Sequence, residues 1–256
     1  KGALLTVQEA IKKRLLDRMP LPRTMHGWRK GHSAKTYVVP HVRKPVLVNV
    51  DIKDFFPSVK SCDVYGMWLK SGYTPAAARL LTLLTTCDNQ LPQGSTTSQS
   101  VGNQVLRDLD RRLHPLARQH RISYSNYGDE VAFSGRERTA RLKGLIVKII
   151  NQQGFDVDVE NPKKFKVLRR HQRQELTGIV VNRKRSLGRS HYRQLKATVH
   201  NCIRYGPESQ NKERRHNFRA SLMGKINYLK YVNPPLGERL LRESKRIDWT
   251  NLESIP

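Results

Sequence analysis

The chain is poor in cysteine, in aromatic side chains and in acidic residues, and each shortage excludes something. Its three cysteines, Cys62, Cys87 and Cys202, are odd in number, far apart and without a C-x-x-C pair. They exclude a disulfide-stapled fold and a zinc ribbon, and they fit a reducing cytosol, so the cytoplasm is the expected location. The nine histidines show no H-E-x-x-H or comparable spacing, which removes the zinc hydrolases. No stretch approaches the roughly 18 apolar residues of a membrane span, and the opening Lys1-Gly2-Ala3-Leu4-Leu5 is too short for a signal sequence, so no membrane partner is expected. Acidic residues number 21 against 48 Lys and Arg, a formal net charge of +27 in 256 residues. That excess calls for a polyanion as partner. It is densest at the end of the chain, where residues 161–256 carry 23 Lys and Arg against 7 Asp and Glu. Such a surface gains from phosphate backbones by counterion release, without sequence preference.

What is present alternates between helix and strand signals, as an α+β sheet with helices on one face requires. Thr6 and Glu9 form a capping-box pattern opening a short helix with Val7, Ile11 and Leu15 on one stripe, stopped by Pro20 and Pro22. A basic, loop-like stretch from His26 to His32 follows, and Lys35-Thr36-Tyr37-Val38-Val39-Pro40 reads as a short strand. Val46 to Val50 is apolar and β-branched enough for a buried strand ending in Asp51. Thr74-Pro75 starts a helix through Leu80, Leu81 and Leu84. The polar turn Leu91 to Ser98 precedes a long amphipathic helix marked by Val101, Val105, Leu109, Leu113 and Leu116, so the turn stands at a helix N-terminus suited to phosphate. Leu142, Leu145, Ile146, Ile149 and Ile150 mark a further helix closed by Gly154. From Ser190 onward the pattern is helical, with Tyr192, Leu195, Val199 and Ile203 on one stripe and Phe218, Leu222, Ile226 and Leu229 on another, ended by Asn233-Pro234-Pro235. No internal repeat or long linker interrupts the chain.

The chemistry lies in three carboxylates. Asp51 closes a strand, and Asp129 and Glu130 sit in Tyr127-Gly128-Asp129-Glu130, where Gly128-Asp129 reads as a hairpin tip. A strand end and a hairpin tip converge readily, and carboxylates so placed can hold two divalent metals about 3.5–4 Å apart, the apparatus of polymerases and of two-metal nucleases. Asp156, Asp158 and Glu160 also alternate on what reads as a strand, as a solvated face opposite Val157 and Val159. Asp108 and Asp110 are expected to pair with Arg107, Arg111 or Arg112.

The order Asp51-Ile52-Lys53-Asp54-Phe55-Phe56-Pro57-Ser58, then Leu91-Pro92-Gln93-Gly94, then Tyr127-Gly128-Asp129-Glu130 resembles a reverse transcriptase, and within that group the bacterial retron-type enzymes. The resemblance spans roughly residues 30 to 235. It implies an α+β right-hand polymerase: fingers over residues 1–45, a palm with an antiparallel sheet over 46–182 that carries a fingers insertion around 60–90, and a basic helical thumb over 183–256. It implies an RNA-directed DNA polymerase that copies a dedicated structured RNA into DNA, using deoxynucleotide triphosphates and two Mg²⁺ ions, with Mn²⁺ as the substitute.

The same resemblance assigns roles. Asp51 and Asp129 hold metal with the Ile52 carbonyl, and Glu130 takes the third carboxylate position, where the family's motif reads Tyr-Ala-Asp-Asp. The extra methylene shifts that carboxylate, and Gly128 in place of Ala loosens the turn. Phe56 is the ring that excludes a ribose 2′-hydroxyl, Phe55 the neighbouring core residue. Gln93 and Gly94 contact the nucleotide, although Ser95-Thr96-Thr97-Ser98-Gln99 lacks the family's two prolines. Lys35 approaches the triphosphate, with Tyr37 where the family has Arg. Lys164, in Asn161-Pro162-Lys163-Lys164, is the general acid for pyrophosphate. Thr177 and Gly178 match a Val-Thr-Gly element tied to template recognition, whereas the family's Asn-Ala-x-x-His signature is absent. Arg183, Lys184, Arg185, Arg189, Arg193 and Lys196 form the RNA-tracking surface. The family's setting implies phage defence with a partner effector protein. Two rivals stand beside this reading. A catalytically degenerate RNA-binding scaffold would keep the fold and the charge, and a two-metal nuclease would leave Phe56 and Gln93-Gly94 without a role.

Overall fold

The computed structural model describes residues 2–162, 164–213 and 216–250. The chain divides into two compact units, Lys1–Leu176 and Thr177–Pro256. In the first, helices α1 (Ala3–Arg14), α2 (Ala34–Val38), α3 (Phe55–Ser58), α4 (Ser61–Lys70), α5 (Pro75–Thr85), α6 (Ser98–Gln119), α7 (Arg138–Arg141) and α8 (Lys143–Gln152) surround four strands. These are β1 (Val46–Asp51), β2 (Ser123–Tyr127), β3 (Glu130–Gly135) and β4 (Phe165–Arg169). They form one antiparallel sheet in the order β2-β3-β1-β4.

Strand alternation gives this sheet two unlike faces. Val46, Val48 and Val50 of β1 lie beside Val131 and Phe133 of β3 and join a core with Leu106, Leu109 and Leu113 of α6, Ile146 and Ile150 of α8, and Trp68 of α4. The alternate positions, Asn49 and Asp51 on β1 and Glu130 and Ser134 on β3, belong to the other face. The long helices thus cover one face, and the polar face is left for chemistry. The outer edge of β2 is itself occupied: Asn126 bridges Met25, and the backbone of Thr24 and His26 bonds it on both sides, at 2.8 Å each.

Several expectations are corrected here. The Lys35–Pro40 segment is helix α2 running into a 3₁₀ turn rather than a strand. Its β-branched content is overridden by a reciprocal cap, in which Ser33 Oγ accepts from the Thr36 amide and Thr36 Oγ1 accepts from the Ser33 amide. The first helix begins at Ala3, so Thr6 lies inside it instead of capping it. Residues 155–159 make a single bridge, Val157 to Ile52, and are not a strand. Asp108 does pair with Arg111, and also with Lys70, but Asp110 is buried and accepts from Thr24 Oγ1 at 2.6 Å.

In the second unit, α9 (Arg189–Tyr205), α10 (Phe218–Val232) and α11 (Pro234–Ser244) bury Leu195, Val199 and Cys202 with Leu222, Ile226, Leu229 and Leu240. Asn233-Pro234-Pro235 does not end the helical region; Asn233 closes α10 and the prolines start α11. A Cβ on Gly237 would fall on the Lys230 backbone, so only glycine lets α11 lie this close to α10.

Candidate active site

Three successive amides of one chain segment gather the site. Asp51 N–H donates to the Lys164 carbonyl at 2.9 Å, Ile52 N–H to the Asp129 carbonyl at 2.9 Å, and Lys53 N–H to the Asp156 carbonyl at 2.8 Å. The end of β1 is thereby knitted to the β2–β3 turn and to the approach to β4. The register sets Asp51 opposite Glu130, with Asp129 beside them at the tip. Strand pairing brings Asp51 and Glu130 together, and the Ile52 amide holds Asp129 beside them.

Their electrostatics differ. Asp129 is half-buried, and its carboxyl is raised above the ordinary range by burial first and then by the Asp51 charge. Glu130 is pushed up to about 7, chiefly by burial, while hydrogen bonds from Tyr37 and Asn49 oppose the rise. The Tyr37 hydroxyl, on a fully buried ring, donates to Glu130 Oε1 at 3.2 Å. Lys164 Nζ donates to Asp51 Oδ1 at 2.6 Å, and this bond raises the pKa of its ammonium. Among the described residues no three His, Cys, Asp or Glu side chains form a ready-made metal cage.

The turn is held from above by an aromatic cluster. Gly128 has a φ of +64°, and a Cβ there would stand 2.6 Å from the Trp28 ring. A Cβ on Gly27 would fall on the Gly128 backbone nitrogen. Gly128 therefore does not loosen the turn; it admits a close-packed lid of Gly27 and Trp28. Trp28 lies 6.2 Å from Phe55 and 5.3 Å from Phe56, centroid to centroid. Phe55 is buried in the core, whereas Phe56 is half-buried beside Trp28.

Gln93 and Gly94 are exposed, and Gly94 has a φ of +84°. The helix that follows their turn is fastened to the site. Asn103 Nδ2 donates to the Gly27 carbonyl at 2.8 Å, and Gly102 leaves room for the Phe55 ring. Lys35 is half-buried on α2, whose Tyr37 carbonyl accepts from Ser125 Oγ at 3.0 Å. Thr177 and Gly178, both at positive φ, and Arg183, Lys184, Arg185, Arg189, Arg193 and Lys196 belong to the second unit. There Arg189, Arg193 and Lys196 are exposed on α9, on the side away from Leu195 and Val199. Lys163 lies outside the described residues. Sequence reasoning missed Gly27 and Trp28, and it noted Tyr37 only as a departure. The signal was slight: a tryptophan after a glycine in a basic stretch, and a tyrosine beside valines.

No family model matches the chain. It is 36% identical to the retron Mx65 reverse transcriptase of Myxococcus xanthus, over 96% of this chain and 60% of that protein. It is 28% identical to the retron Mx162 reverse transcriptase of the same organism, over 98% of this chain and 57% of that one. With the retron Ec86 reverse transcriptase of Escherichia coli the identity is 26%, over 78% and 62%. The chain thus spans about three fifths of the length of these curated relatives. Among solved structures, telomerase from Candida albicans, in complex with a fragment of telomeric RNA, superposes with a TM-score of 0.50 at 9% identity, covering 97% of this chain and 54% of that one. At that identity the likeness shows the fold, and the fold expected from the sequence, an α+β right-hand polymerase with an antiparallel palm sheet, is the one observed.

Proposed function

Taking as premise that the chain is a relative of the bacterial retron-type reverse transcriptases, we propose that it is an RNA-directed DNA polymerase. The observation that carries this is the meeting of Asp51 at the end of β1 with Asp129 at the hairpin tip, with a half-buried Phe56 against the Trp28 ring that covers the tip. A divalent cation fits the donor set. Asp129 is raised by burial first and then by the Asp51 charge, both of which a cation offsets, and Mg²⁺ is typically held by one or two carboxylates plus substrate phosphates. Asp51, Asp129 and the Ile52 carbonyl would hold it, with Mn²⁺ as the substitute. Two such ions, when bound, supply charge compensation at the attacking and leaving oxygens.

The protein's own part is positioning and charge. Lys35 offers a point charge to the triphosphate, and Gln93-Gly94 contacts the nucleotide. Phe56, tilted against Trp28, excludes a 2′-hydroxyl by overlap and selects deoxynucleotides. Lys164 is kept protonated by Asp51 and holds the proton that the departing pyrophosphate needs. Thr177, Gly178, Arg183, Lys184, Arg185, Arg189, Arg193 and Lys196 bind the structured template RNA and its DNA product. Kinship with retron enzymes supports a role in phage defence with an effector protein.

The test is primer extension on an RNA template, with purified protein and its co-purifying RNA, in Mg²⁺ and in Mn²⁺. Deoxynucleotide incorporation by the parent that Asp129→Asn abolishes is the expected result. Tight RNA retention without incorporation in either metal would replace the reading with the RNA-binding scaffold, and degradation of the primed template would replace it with the nuclease.

A further inference from the structure

Helix α2 carries Lys35, and what holds that helix over the polar face of the sheet is a set of bonds to the β2–β3 hairpin. The Tyr37 carbonyl accepts from Ser125 Oγ, and the Tyr37 ring lies 5.5 Å from Tyr127. His41, just beyond α2, sits between Ser125 Oγ and Ser134 Oγ at 2.7 Å each. A bond from the Tyr37 hydroxyl to Glu130 Oε1 reaches from α2 to the carboxylate cluster. Asn49 donates to the same carboxylate, and its own Oδ1 has no partner. The donors Tyr37 and Asn49 are buried and Glu130 is half-buried, so the bond is made at the expense of hydration and is costly to leave unmade. An aspartate at position 130 would end about 1.5 Å short of this reach.

We propose that Glu130 is a positioning residue and not a metal ligand: with Tyr37 it clamps α2 to the hairpin and so fixes Lys35 relative to Asp51 and Asp129. This rests on the polymerase reading for its kinetic consequence, but the clamp itself is a property of the fold. The two candidate roles of Glu130 separate cleanly by substitution. A metal ligand needs its charge and tolerates Asp better than Gln. A clamp needs an acceptor at the right length and tolerates Gln better than Asp.

Four variants, Glu130→Gln, Glu130→Asp, Tyr37→Phe and Tyr37→Phe/Glu130→Asp, are compared by steady-state extension across deoxynucleotide and Mg²⁺ concentrations. Glu130→Gln is expected to keep a nucleotide KM at least about threefold below that of Glu130→Asp, with the Mg²⁺ requirement of the parent. Glu130→Asp and Tyr37→Phe are each expected to raise the nucleotide KM about tenfold, the factor of one such hydrogen bond, with kcat changed less. The double variant should be no worse than either single. Loss of kcat and a raised Mg²⁺ requirement in Glu130→Gln, with Tyr37→Phe silent, would overturn the clamp. Hydrogen exchange of the α2 amides in the same four proteins reads the clamp without catalysis. Protection is expected to fall about tenfold or more in Glu130→Asp and Tyr37→Phe and to hold in Glu130→Gln; equal protection in all four overturns it. A parent that incorporates nothing but shows this exchange pattern would sink the polymerase reading and leave the clamp standing.

Discussion

Single residues around the hairpin tip are set by contacts that a motif does not display. Gly128→Ala restores the family's residue on paper, yet here it places a Cβ against the Trp28 ring at a φ of +64°. The left-handed backbone and the overlap together predict a loss of about 2–4 kcal/mol, read from the urea midpoint, with extension falling in step. His41 makes a second case. It is wholly buried between two serines, and burial, followed by the charges of Lys44 and His26, lowers it from the usual value to about 3. The unfolded chain therefore binds the proton first: stability is complete above about pH 6.5 and falls as pH drops toward 3, by at most about 1.4 kcal/mol per unit. Urea unfolding at about pH 7.5, 6 and 5 should show that slope, and His41→Gln should flatten it. His26, lowered to about 4 mainly by burial, adds a slope of the same sign and Glu130, pushed up to about 7, one of opposite sign, so the His41 share is read as the difference between the parent and His41→Gln at each pH.

Whole elements were readable where the signal is local. The buried strand ending in Asp51, the turn at Gly128, the Thr74-Pro75 helix start and the long α6 stripe each depend on neighbours within a few residues, and each was found where expected. Helix α2 was missed because its cap, Ser33 with Thr36, competes with a run of β-branched residues that favours a strand. The lid of Gly27 and Trp28 was missed because its partners lie about a hundred residues away, beyond any periodicity. The α10–α11 corner was half-read: the prolines announced a stop, but nothing local says that the chain resumes as a helix. Its tightest point gives a prediction. Gly237→Ala should part the two helices at a cost of about 1–3 kcal/mol, and proteolysis near Asn233 should quicken while β1 to β4 keep their exchange protection.

At the scale of the molecule the dominant quantity is charge. With 48 basic residues against 21 acidic, RNA affinity should fall steeply with salt, by roughly a thousandfold between 50 and 200 mM if about six phosphates are neutralised. Replacing Arg189 and Arg193 by Gln should lower the slope of log affinity against log salt by about one for each phosphate no longer neutralised, without altering which RNA is preferred. Nitrocellulose binding over a salt series decides it; an unchanged slope would take α9 out of the RNA-binding surface. The knot of amides at residues 51 to 53 bears on something else, the timing of synthesis. Those three groups bind carbonyls at 164, 129 and 156. Pairings so distant in sequence close late and slowly. A nascent chain halted before residue 156 would thus own every carboxylate of the cluster and the β1–β3 pairing that joins them, yet lack two of the three bonds that fasten the end of β1.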